Sequence, residues 1–363
     1  MQSGEIMKKL ALVFAASVAT MLSVAGSASA ADKTKICFVY VGSKTDGGWT
    51  QAHELGRQEL QKHFGDKIDT PLLENVPEGP DAERAIERLA REDCKLIFTT
   101  SFGFMDATVK VAKKFPKVKF EHATGFKSAE NVATYNSRFY EGRYISGVIA
   151  GKLSKKGEAG YIASFPIPEV VMGINAFELG AKSVNPNFKM KVIWVNTWFD
   201  PGKEADAAKA LLDQGVDILT QHTDTTAPMQ IAQERGIKAF GQASDMIAAG
   251  PTSQLTAIKD TWGAYYIKRT QALLDGKWTS EQSFDGLKDG ILTMAPYTNM
   301  PDDVKKLAED TEAKIKSGEL HPFTGPVNKQ DGTAWLKAGE KADDKTLLGM
   351  NFYVEGVDDK LPK

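Results

Sequence analysis

Short apolar runs of strand length alternate along this chain with longer segments in which apolar residues recur at helical spacing. The run Lys35–Val41 is almost entirely apolar, as in a strand buried on both faces, and a helical pattern follows it from Gln51 to Phe64. The segment Asp81–Asp93 repeats the helical pattern, and the apolar run 94–100 comes directly after it. Strands that alternate with helices predict βα units, right-handed crossovers and a parallel sheet.

The βα pattern continues through two successive arrays of about a hundred residues each, so the sequence predicts an α/β protein with two Rossmann-like lobes and parallel sheets. We predict that lobe 1 comprises residues 31–136 and 246–290, and that lobe 2 comprises residues 137–245 and 291–363. From residue 291 onward the pattern weakens, and we interpret this part as an appendage on lobe 2.

The first thirty residues have the features of a secretory signal peptide. Lys8 and Lys9 precede the apolar run Leu10–Val24, and the small residues Ala28-Ser29-Ala30 predict cleavage before Ala31. No cysteine follows the apolar run, so we expect no lipid anchor at the processing site. The mature protein is therefore expected to be exported to the periplasm. The formal charge of the full chain is -2, and this nearly neutral value argues against a nucleic-acid partner.

The chain contains two cysteines, Cys37 and Cys94, and each stands at the start of an apolar strand. If these strands are neighbours in a parallel sheet, the two thiols lie side by side. An oxidising compartment allows a disulfide there. Two free buried thiols remain an equal alternative from sequence.

The loop Asp46–Thr50 lies between the first predicted strand and its helix, which places it at the carboxyl edge of the sheet, where open α/β sheets bind ligands. Gly47 and Gly48 allow a ligand to approach the backbone, and Trp49 offers a flat apolar face. The alternative is that Trp49 packs on its own helix.

Other predicted strand-end loops also carry aromatic side chains. Phe102 and Phe104 follow one strand, and Trp198 and Phe199 follow another. Stacked rings with a few polar anchors suit a flat heteroaromatic ligand. The alternative is that these rings only seal the two lobes together. His222 also falls at a strand end, but a lone histidine there is more often structural.

Signatures of common enzymes are absent from the sequence: it has no phosphate-binding loop, no H-E-x-x-H and no G-x-S-x-G motif. The five histidines do not have metal-ligand spacing, and the two cysteines do not form a C-x-x-C pair. We therefore expect no cofactor and no enzymatic activity.

The ordered set of short motifs resembles the basic membrane protein family of ABC-transporter substrate-binding proteins, whose best-understood members are purine nucleoside receptors. The resemblance implies a type I periplasmic binding protein fold with a ligand cleft between the lobes. The matching motifs run through nearly the whole mature chain, at Asp46–Trp49, Ser101-Phe102 with Asp106-Ala107, Glu141–Gly147, Phe177–Ala181 with Asn185-Pro186, and Gly241–Asp245.

The resemblance also implies roles for individual residues. Trp49 and the Trp198-Phe199 pair would sandwich a base. The polar contacts would come from four charged residues, namely Asp46, Asp106, Asp245 and Lys259.

The sequence departs from the family pattern in ways that bear on the ligand. Trp49 stands where the family has phenylalanine, Thr50 where it has asparagine, and Ala243 where it has the first aspartate of Asp-Ser-Asp. These changes leave less provision for a ribose. A free purine base such as adenine is therefore expected rather than a nucleoside.

The leading hypothesis is a monomeric periplasmic protein that binds a purine and delivers it to an inner-membrane ABC permease. A nucleoside hydrolase would need the same cleft together with an acidic metal site or a general acid, neither of which the sequence shows. A ligand-sensing protein for a membrane receptor would share the fold.

Overall fold

Two parallel sheets with helices on their faces form the two lobes of the protein, as predicted. The computed structural model describes residues 33–362, so the predicted signal peptide lies outside the described residues. The strands are β1 (Thr34–Val39), β2 (Ile68–Asp69), β3 (Leu72–Leu73), β4 (Leu96–Thr99), β5 (Lys119–Ala123), β6 (Val132–Ser137), β7 (Glu158–Ala163), β8 (Lys189–Trp194), β9 (Ile218–His222), β10 (Lys238–Gly241), β11 (Gln254–Asp260), β12 (Gln282–Asp285), β13 (Leu292–Met294), β14 (Val327–Asn328) and β15 (Ala334–Leu336).

The helices fall close to the segments with helical apolar spacing. They are α1 (Trp49–Phe64), α2 (Pro80–Arg91), α3 (Met105–Lys114), α4 (Phe139–Leu153), α5 (Pro168–Lys182), α6 (Pro201–Asp213), α7 (Ala227–Arg235), α8 (Gly263–Leu274), α9 (Asp302–Ser317) and α10 (Asp344–Leu348).

The first sheet has the strand order β12-β6-β5-β4-β1-β2, with β3 also paired to β1, and all of its pairs are parallel. The second sheet has the order β13-β11-β10-β9-β7-β8, and only its edge pair β11–β13 is antiparallel. Both sheets order their strands as in doubly wound α/β folds, so the carboxyl ends of the central strands offer a crevice in each lobe.

One predicted boundary is wrong. We placed residues 246–290 in lobe 1, but β11 pairs with β10 in the second sheet. The loop 242–253 is long enough to return the chain to a parallel neighbour without a regular helix. The chain therefore crosses between lobes after Asp260 rather than after Asp245, and α8 then packs against α1 of the first lobe, as predicted.

Close packing of α4 on α5 depends on glycine. A β-carbon at Gly147 would collide with the carbonyl oxygen of Phe177, and one at Gly180 would collide with that of Tyr144. The two backbones approach so closely that only glycine fits. These helices form the apolar layer on which the second sheet rests.

The C-terminal part of the chain is attached to the second lobe. The Asn175 side chain on α5 donates to the carbonyl oxygen of Phe352 (2.8 Å) and accepts from the backbone N–H of Val354 (3.0 Å). Trp194 at the end of β8 donates to the hydroxyl of Tyr353 (3.1 Å). The appendage therefore covers this lobe.

Cys37 and Cys94 form a disulfide, which resolves the alternative that the sequence left open. Their α-carbons are 5.9 Å apart, a normal separation for a disulfide. β1 and β4 are parallel neighbours, which brings the two thiols together. Within residues 33–362, no helix combines the length and the apolarity that a membrane span needs.

Candidate functional site

A cleft lies between the lobes where the loops after the strands meet, and it encloses about 350 Å³ of space between protein atoms, solvent at its mouth included. Each lobe contributes five residues to the lining of the cleft. Those of the first lobe lie in or beside strand-end loops, and those of the second lobe lie in loops and at the start of a helix. The lining residues are Val41, Trp49, Ser101, Phe102 and Thr124 from lobe 1, and Glu169, Trp198, His222, Asp224 and Gln242 from lobe 2.

Trp49 is held rigidly at the start of α1. Its indole Nε1 donates to the carbonyl oxygen of Thr100 (2.6 Å). The ring makes an edge-to-face contact with His53 (centroids 4.4 Å apart, 82°) and another with Trp262 (5.7 Å, 78°). The ring thus packs on its own helix and also lines the cleft. The two alternatives that the sequence offered for Trp49 are therefore compatible.

Trp198 faces the cleft from the second lobe. Its ring packs at a tilt on Phe165, with centroids 5.1 Å apart, and its Nε1 donates across the cleft to Oε1 of Glu78 (3.3 Å). Phe102 adds a third ring from the first lobe and lies 6.4 Å from the ring of Phe126. Aromatic faces therefore bound the cleft from both lobes, an arrangement suited to a flat ligand.

A buried arginine supports the floor of the cleft. Arg143 on α4 is fully buried, and it donates to the hydroxyl of Thr220 (2.9 Å), the carbonyl oxygen of Gln221 (2.5 Å) and the side-chain oxygen of Gln242. Because its guanidinium orients Gln242, the amide of that residue has a fixed direction toward the cleft. Arg143 positions the site without being one of its lining residues.

Glu169 and His222 form the ionisable part of the floor. Glu169 begins α5, its side chain is 9% exposed, and its Oε1 lies 3.8 Å from Nε2 of His222. Burial raises the pKa of Glu169 to about 7, although the nearby Arg143 opposes this shift. Burial lowers the pKa of His222 well below its usual value, so the imidazole is neutral. A neutral histidine offers one donor and one acceptor.

Asp224 connects the two lobes beside the floor. Its carboxylate accepts from the backbone N–H of Trp49 (3.3 Å), and its own N–H donates to the carbonyl oxygen of Trp198 (3.0 Å). Burial, together with the neighbouring carboxylates of Asp46 and Glu204, raises the pKa of Asp224 well above its usual value. Asp224 thereby ties the positions of the two tryptophans to each other.

Some polar atoms of this buried cluster have no protein partner. Within the described range 33–362, these include Nδ1 of His222 and Nε of Arg143. Buried polar atoms are almost always hydrogen-bonded, so an unpartnered one beside a cleft marks a place for a polar ligand atom. No group of three or more His, Cys, Asp or Glu side chains in that same part of the chain is arranged to hold a metal ion.

In the closed arrangement, the backbone of the first lobe approaches the second lobe closely. A β-carbon at Gly48 would lie 2.9 Å from the carbonyl oxygen of Asp224, and the hydroxyl of Ser244 donates to the carbonyl oxygen of Gly47. Gly48 therefore supplies the room that the closed contact needs, in addition to any room for a ligand.

Three loops at the carboxyl edge of the sheets each contain a non-glycine residue with a positive φ angle. Thr124 follows β5 with φ 61°, Asn196 follows β8 with φ 53°, and Ala243 follows β10 with φ 57°. Such conformations cost of order 1–3 kcal/mol for a non-glycine residue and concentrate at functional sites. Thr124 is β-branched, for which this conformation is least favourable, and it lines the cleft.

Of the predicted site residues, Trp49, Phe102 and Trp198 line the cleft. Asp46 instead serves the start of α1. Its carboxylate accepts from the backbone N–H groups of Gly48, Thr50 and Gln51, each at 2.9 Å. These bonds use both carboxylate oxygens, so Asp46 shapes the loop that presents Trp49 and is not a cleft-lining residue.

Three predicted residues lie elsewhere in the fold. Phe104 is fully buried in the first lobe because the short helical turn 102–104 directs it inward. Asp106 is exposed on α3 and pairs with Lys127 (2.5 Å). Phe199 is 45% exposed on the outer side of the loop that carries Trp198. Adjacent residues in a loop point in different directions, so the motif alone did not separate them.

Two residues near the predicted crossover, both expected to make polar contacts with the ligand, also lie outside the set that lines the cleft. Asp245 is exposed and accepts from the Nε2 of Gln254 (2.7 Å) and the backbone N–H of Ile247 (3.1 Å). Lys259 is half-buried on β11 and is not among the residues that line the cleft. β11 belongs to the second sheet rather than to lobe 1, and Lys259 lies on this strand rather than in a loop after it.

Sequence reasoning missed the polar residues Glu169, Asp224 and Gln242. Asp224 follows β9 by two residues, and Gln242 directly follows β10, so the strand-end rule could have found both. Glu169 lies in the first turn of a helix, and nothing in its sequence context marks it. The possibility that His222 faces the cleft is realised in the structure.

Comparisons with known proteins place this geometry in a family. The family model described as ABC transporter substrate-binding protein PnrA-like matches residues 33–326. Over 338 residues the chain is 69% identical to a purine-binding protein of Brucella abortus (strain 2308), which covers 93% of this chain and 97% of that protein.

More distant relatives have the same architecture. A protein of Haloferax volcanii, provisionally named as an ABC transporter glucose-binding protein, is 34% identical over 338 residues, which is 93% of this chain and 83% of that protein. The crystal structure of an ABC transporter solute-binding protein from Aeropyrum pernix K1 superposes with a TM-score of 0.70 at 18% identity, covering 86% of this chain and 95% of that one. The chain therefore belongs to the PnrA-like (Bmp) family of ABC transporter substrate-binding proteins.

Proposed function

We propose that this protein is a periplasmic receptor that binds a purine, preferentially a free base such as adenine, and delivers it to an inner-membrane ABC permease. The observation that carries the proposal is the pair Trp49 and Trp198, which line one narrow cleft from opposite lobes above a polar floor. The name of the Brucella relative points to the same ligand class.

The chemistry of the floor suits an uncharged heteroaromatic ring. A purine base carries N–H donors and ring-nitrogen acceptors along its edge. Asp224 and Glu169 offer acceptors for the N–H groups, and the neutral His222 offers a donor or an acceptor. None of the ten cleft-lining residues is a lysine or an arginine, so the cleft provides no cation for the phosphate of a nucleotide.

Ligand binding would favour the closed form because the ligand touches both lobes. The chain crosses between lobes three times, after β6, β11 and β12, and these segments are the natural hinge. A ligand shifts the equilibrium between open and closed forms only by its differential affinity for the two. A base held between Trp49 and Trp198 has that property, since only the closed form brings both rings to it.

The proposed location agrees with the disulfide between Cys37 and Cys94, since disulfides persist in oxidising compartments. We propose that the protein acts as a monomer whose two lobes supply the two sides of the cleft.

Calorimetry tests the proposal. Adenine, hypoxanthine, adenosine and glucose are titrated separately into protein that has been unfolded, dialysed and refolded to remove bound solutes. We expect a purine base to bind with a Kd below about 10 µM, which corresponds to roughly 7 kcal/mol. Chromatography of the mixture should recover the base unchanged. Tight binding of glucose with no binding of any purine would refute the proposal.

A pair of variants locates the site. Trp198→Ala removes a ring that lines the cleft, while Phe199→Ala removes its exposed neighbour on the same loop. A stacked ring contributes roughly 0.5–1.5 kcal/mol beyond the burial of its area, so Trp198→Ala should weaken purine binding at least about tenfold. The Phe199 variant should bind like the parent. Equal effects of both changes would place the ligand elsewhere.

A further inference from the structure

The side-chain amide of Gln242 has one favourable orientation. Gln242 directly follows β10, lines the cleft and is 1% exposed. Its Oε1 accepts a hydrogen bond from the guanidinium of Arg143. An arginine has donors and no acceptor, so the reverse orientation would set the amino group of the amide against another donor. The amino group Nε2 must therefore point away from Arg143.

The arginine that fixes this orientation is itself held on several sides. The central carbon of its guanidinium lies 5.0 Å from the centroid of the Phe139 ring and 5.2 Å from that of the Tyr161 ring. The same group donates to the hydroxyl of Thr220 (2.9 Å) and to the carbonyl oxygen of Gln221 (2.5 Å). These contacts restrict the guanidinium, so its hydrogen bond to the amide has a defined direction.

All of these groups belong to the second lobe. Arg143 lies on α4, its ring and hydrogen-bond partners lie on α4, β7 and β9, and Gln242 follows β10. The lobes must part to admit a ligand, and a hinge motion leaves the arrangement within each lobe unchanged. The orientation of the amide is therefore set before a ligand arrives.

The amino group of Gln242 is available as a donor. No residue within 33–362 accepts a hydrogen bond from Nε2, whereas Oε1 is used by Arg143. Buried polar groups are almost always hydrogen-bonded, so a ligand in the cleft is the natural acceptor. An amide does not titrate, so Gln242 offers the same donor at every pH, unlike Glu169 and His222.

We propose that Gln242 is a specificity-determining residue, which donates from Nε2 to an acceptor atom of the bound base. This inference rests on the proposed function, because a purine must occupy the cleft. In the main tautomer of adenine the acceptors are the ring nitrogens N1, N3 and N7, since the exocyclic amino group and N9 carry hydrogens. The protein should therefore discriminate against an adenine analogue that has a C–H group at the position facing Gln242.

Calorimetry on the parent protein is the first part of the test. Adenine is compared with 1-deazaadenine, 3-deazaadenine and 7-deazaadenine, each of which replaces one ring nitrogen by C–H and keeps the shape of the base. At least one analogue should bind about tenfold weaker than adenine or worse, because the buried donor then loses its acceptor. If all three analogues bind as tightly as adenine, the inference is wrong.

Gln242→Met assigns that loss to the amide, because methionine fills a similar volume and has no donor. The variant should bind adenine at least about fivefold more weakly, and the analogue that the parent discriminates against should bind it within about twofold of adenine. If Gln242 only supports the fold, the variant lowers all four affinities by one common factor and keeps their ratios. That result would overturn the inference.

Gln242→Glu answers the same question if the methionine variant does not fold. It keeps an oxygen for Arg143 and replaces only the amino group, so that an acceptor stands where a donor stood. Adenine should bind at least about tenfold more weakly, and an unchanged affinity would overturn the inference. Gln230→Met, at an exposed glutamine on α7, is the matched control and should change none of the affinities.

The affinity of the parent for adenine separates this inference from the proposed function. Tight binding of adenine together with unchanged ratios in the Gln242 variants would refute the role of Gln242 alone. A parent protein that binds no purine would refute the proposed function, and the role of Gln242 with it.

Discussion

Replacing Glu169 by glutamine should change how the stability of the ligand-free protein depends on pH. Burial raises the pKa of Glu169 from 4.5 to about 7 in the folded protein. Between these two values the folded state holds a proton that the unfolded state has released, so the free energy of unfolding falls as pH rises. The stabilising effect is fully present below the unfolded pKa of 4.5, and it is lost progressively as pH rises to the folded pKa of about 7.

The magnitude follows from the size of the shift. One pKa unit corresponds to 1.36 kcal/mol, so Glu169 alone should lower the free energy of unfolding by about 2–3 kcal/mol between about pH 5 and about pH 8. Glu141 and Glu178, whose pKa values are raised to about 7 and about 8, act in the same direction. They are present in both proteins, so their effects cancel when the Glu169→Gln variant is compared with the parent.

Urea unfolding at both pH values, followed by circular dichroism, measures this effect. The parent should lose about 2–3 kcal/mol more than Glu169→Gln on going from the lower to the higher pH. Glu130→Gln, at an exposed glutamate, is the control and should behave like the parent. Parallel pH profiles for the parent and the Glu169 variant would show that Glu169 is ionised in the folded protein, and the argument for a neutral cleft floor would fail.

Three further changes have definite expected results. Asp224→Asn should weaken purine binding roughly tenfold to a hundredfold, because it replaces a carboxylate acceptor at the cleft, whereas Asp245→Asn, at an exposed position outside the cleft, should leave calorimetric affinity unchanged. Trp198→Phe keeps a ring but loses the bond to Glu78, so affinity should fall only about twofold to tenfold; a loss as large as that of the alanine variant would contradict the stacking role. Reduction of the first-lobe disulfide, which closes a loop of sequence separation 57, should lower the free energy of unfolding by about 4 kcal/mol in urea titrations, and an unchanged midpoint would show that the bond does not stabilise the lobe.

Much of the fold could be predicted from local patterns. The apolar run of β1 and the helical spacing of α1 and α2 each depend on neighbouring residues, so their positions were correct within a few residues. The segment that forms β11 was assigned to lobe 1 instead of lobe 2, because nothing between Gly241 and Gln254 marks a return to the same sheet.

The site was harder to predict than the fold. Trp49 and Trp198 were found because a tryptophan in a strand-end loop is unusual and because the family motifs include aromatic residues there. Asp245 was predicted because it stands in a family motif, but the positive φ of Ala243 turns the chain, and Asp245 is exposed. Side-chain direction after a strand depends on such backbone turns, and no residue pattern reveals them for alanine or threonine.

The backbones of Gly47 and Gly48 contact the second lobe at Asp224 and Ser244, whereas the side chains of Trp49 and Glu169 line the cleft. The shape of the closed molecule is thus encoded separately from the choice of cargo. A transporter that recognises this shape would accept the protein whatever it carries. Substitutions at the cleft side chains can therefore redirect the protein to a new solute without any compensating change in its permease.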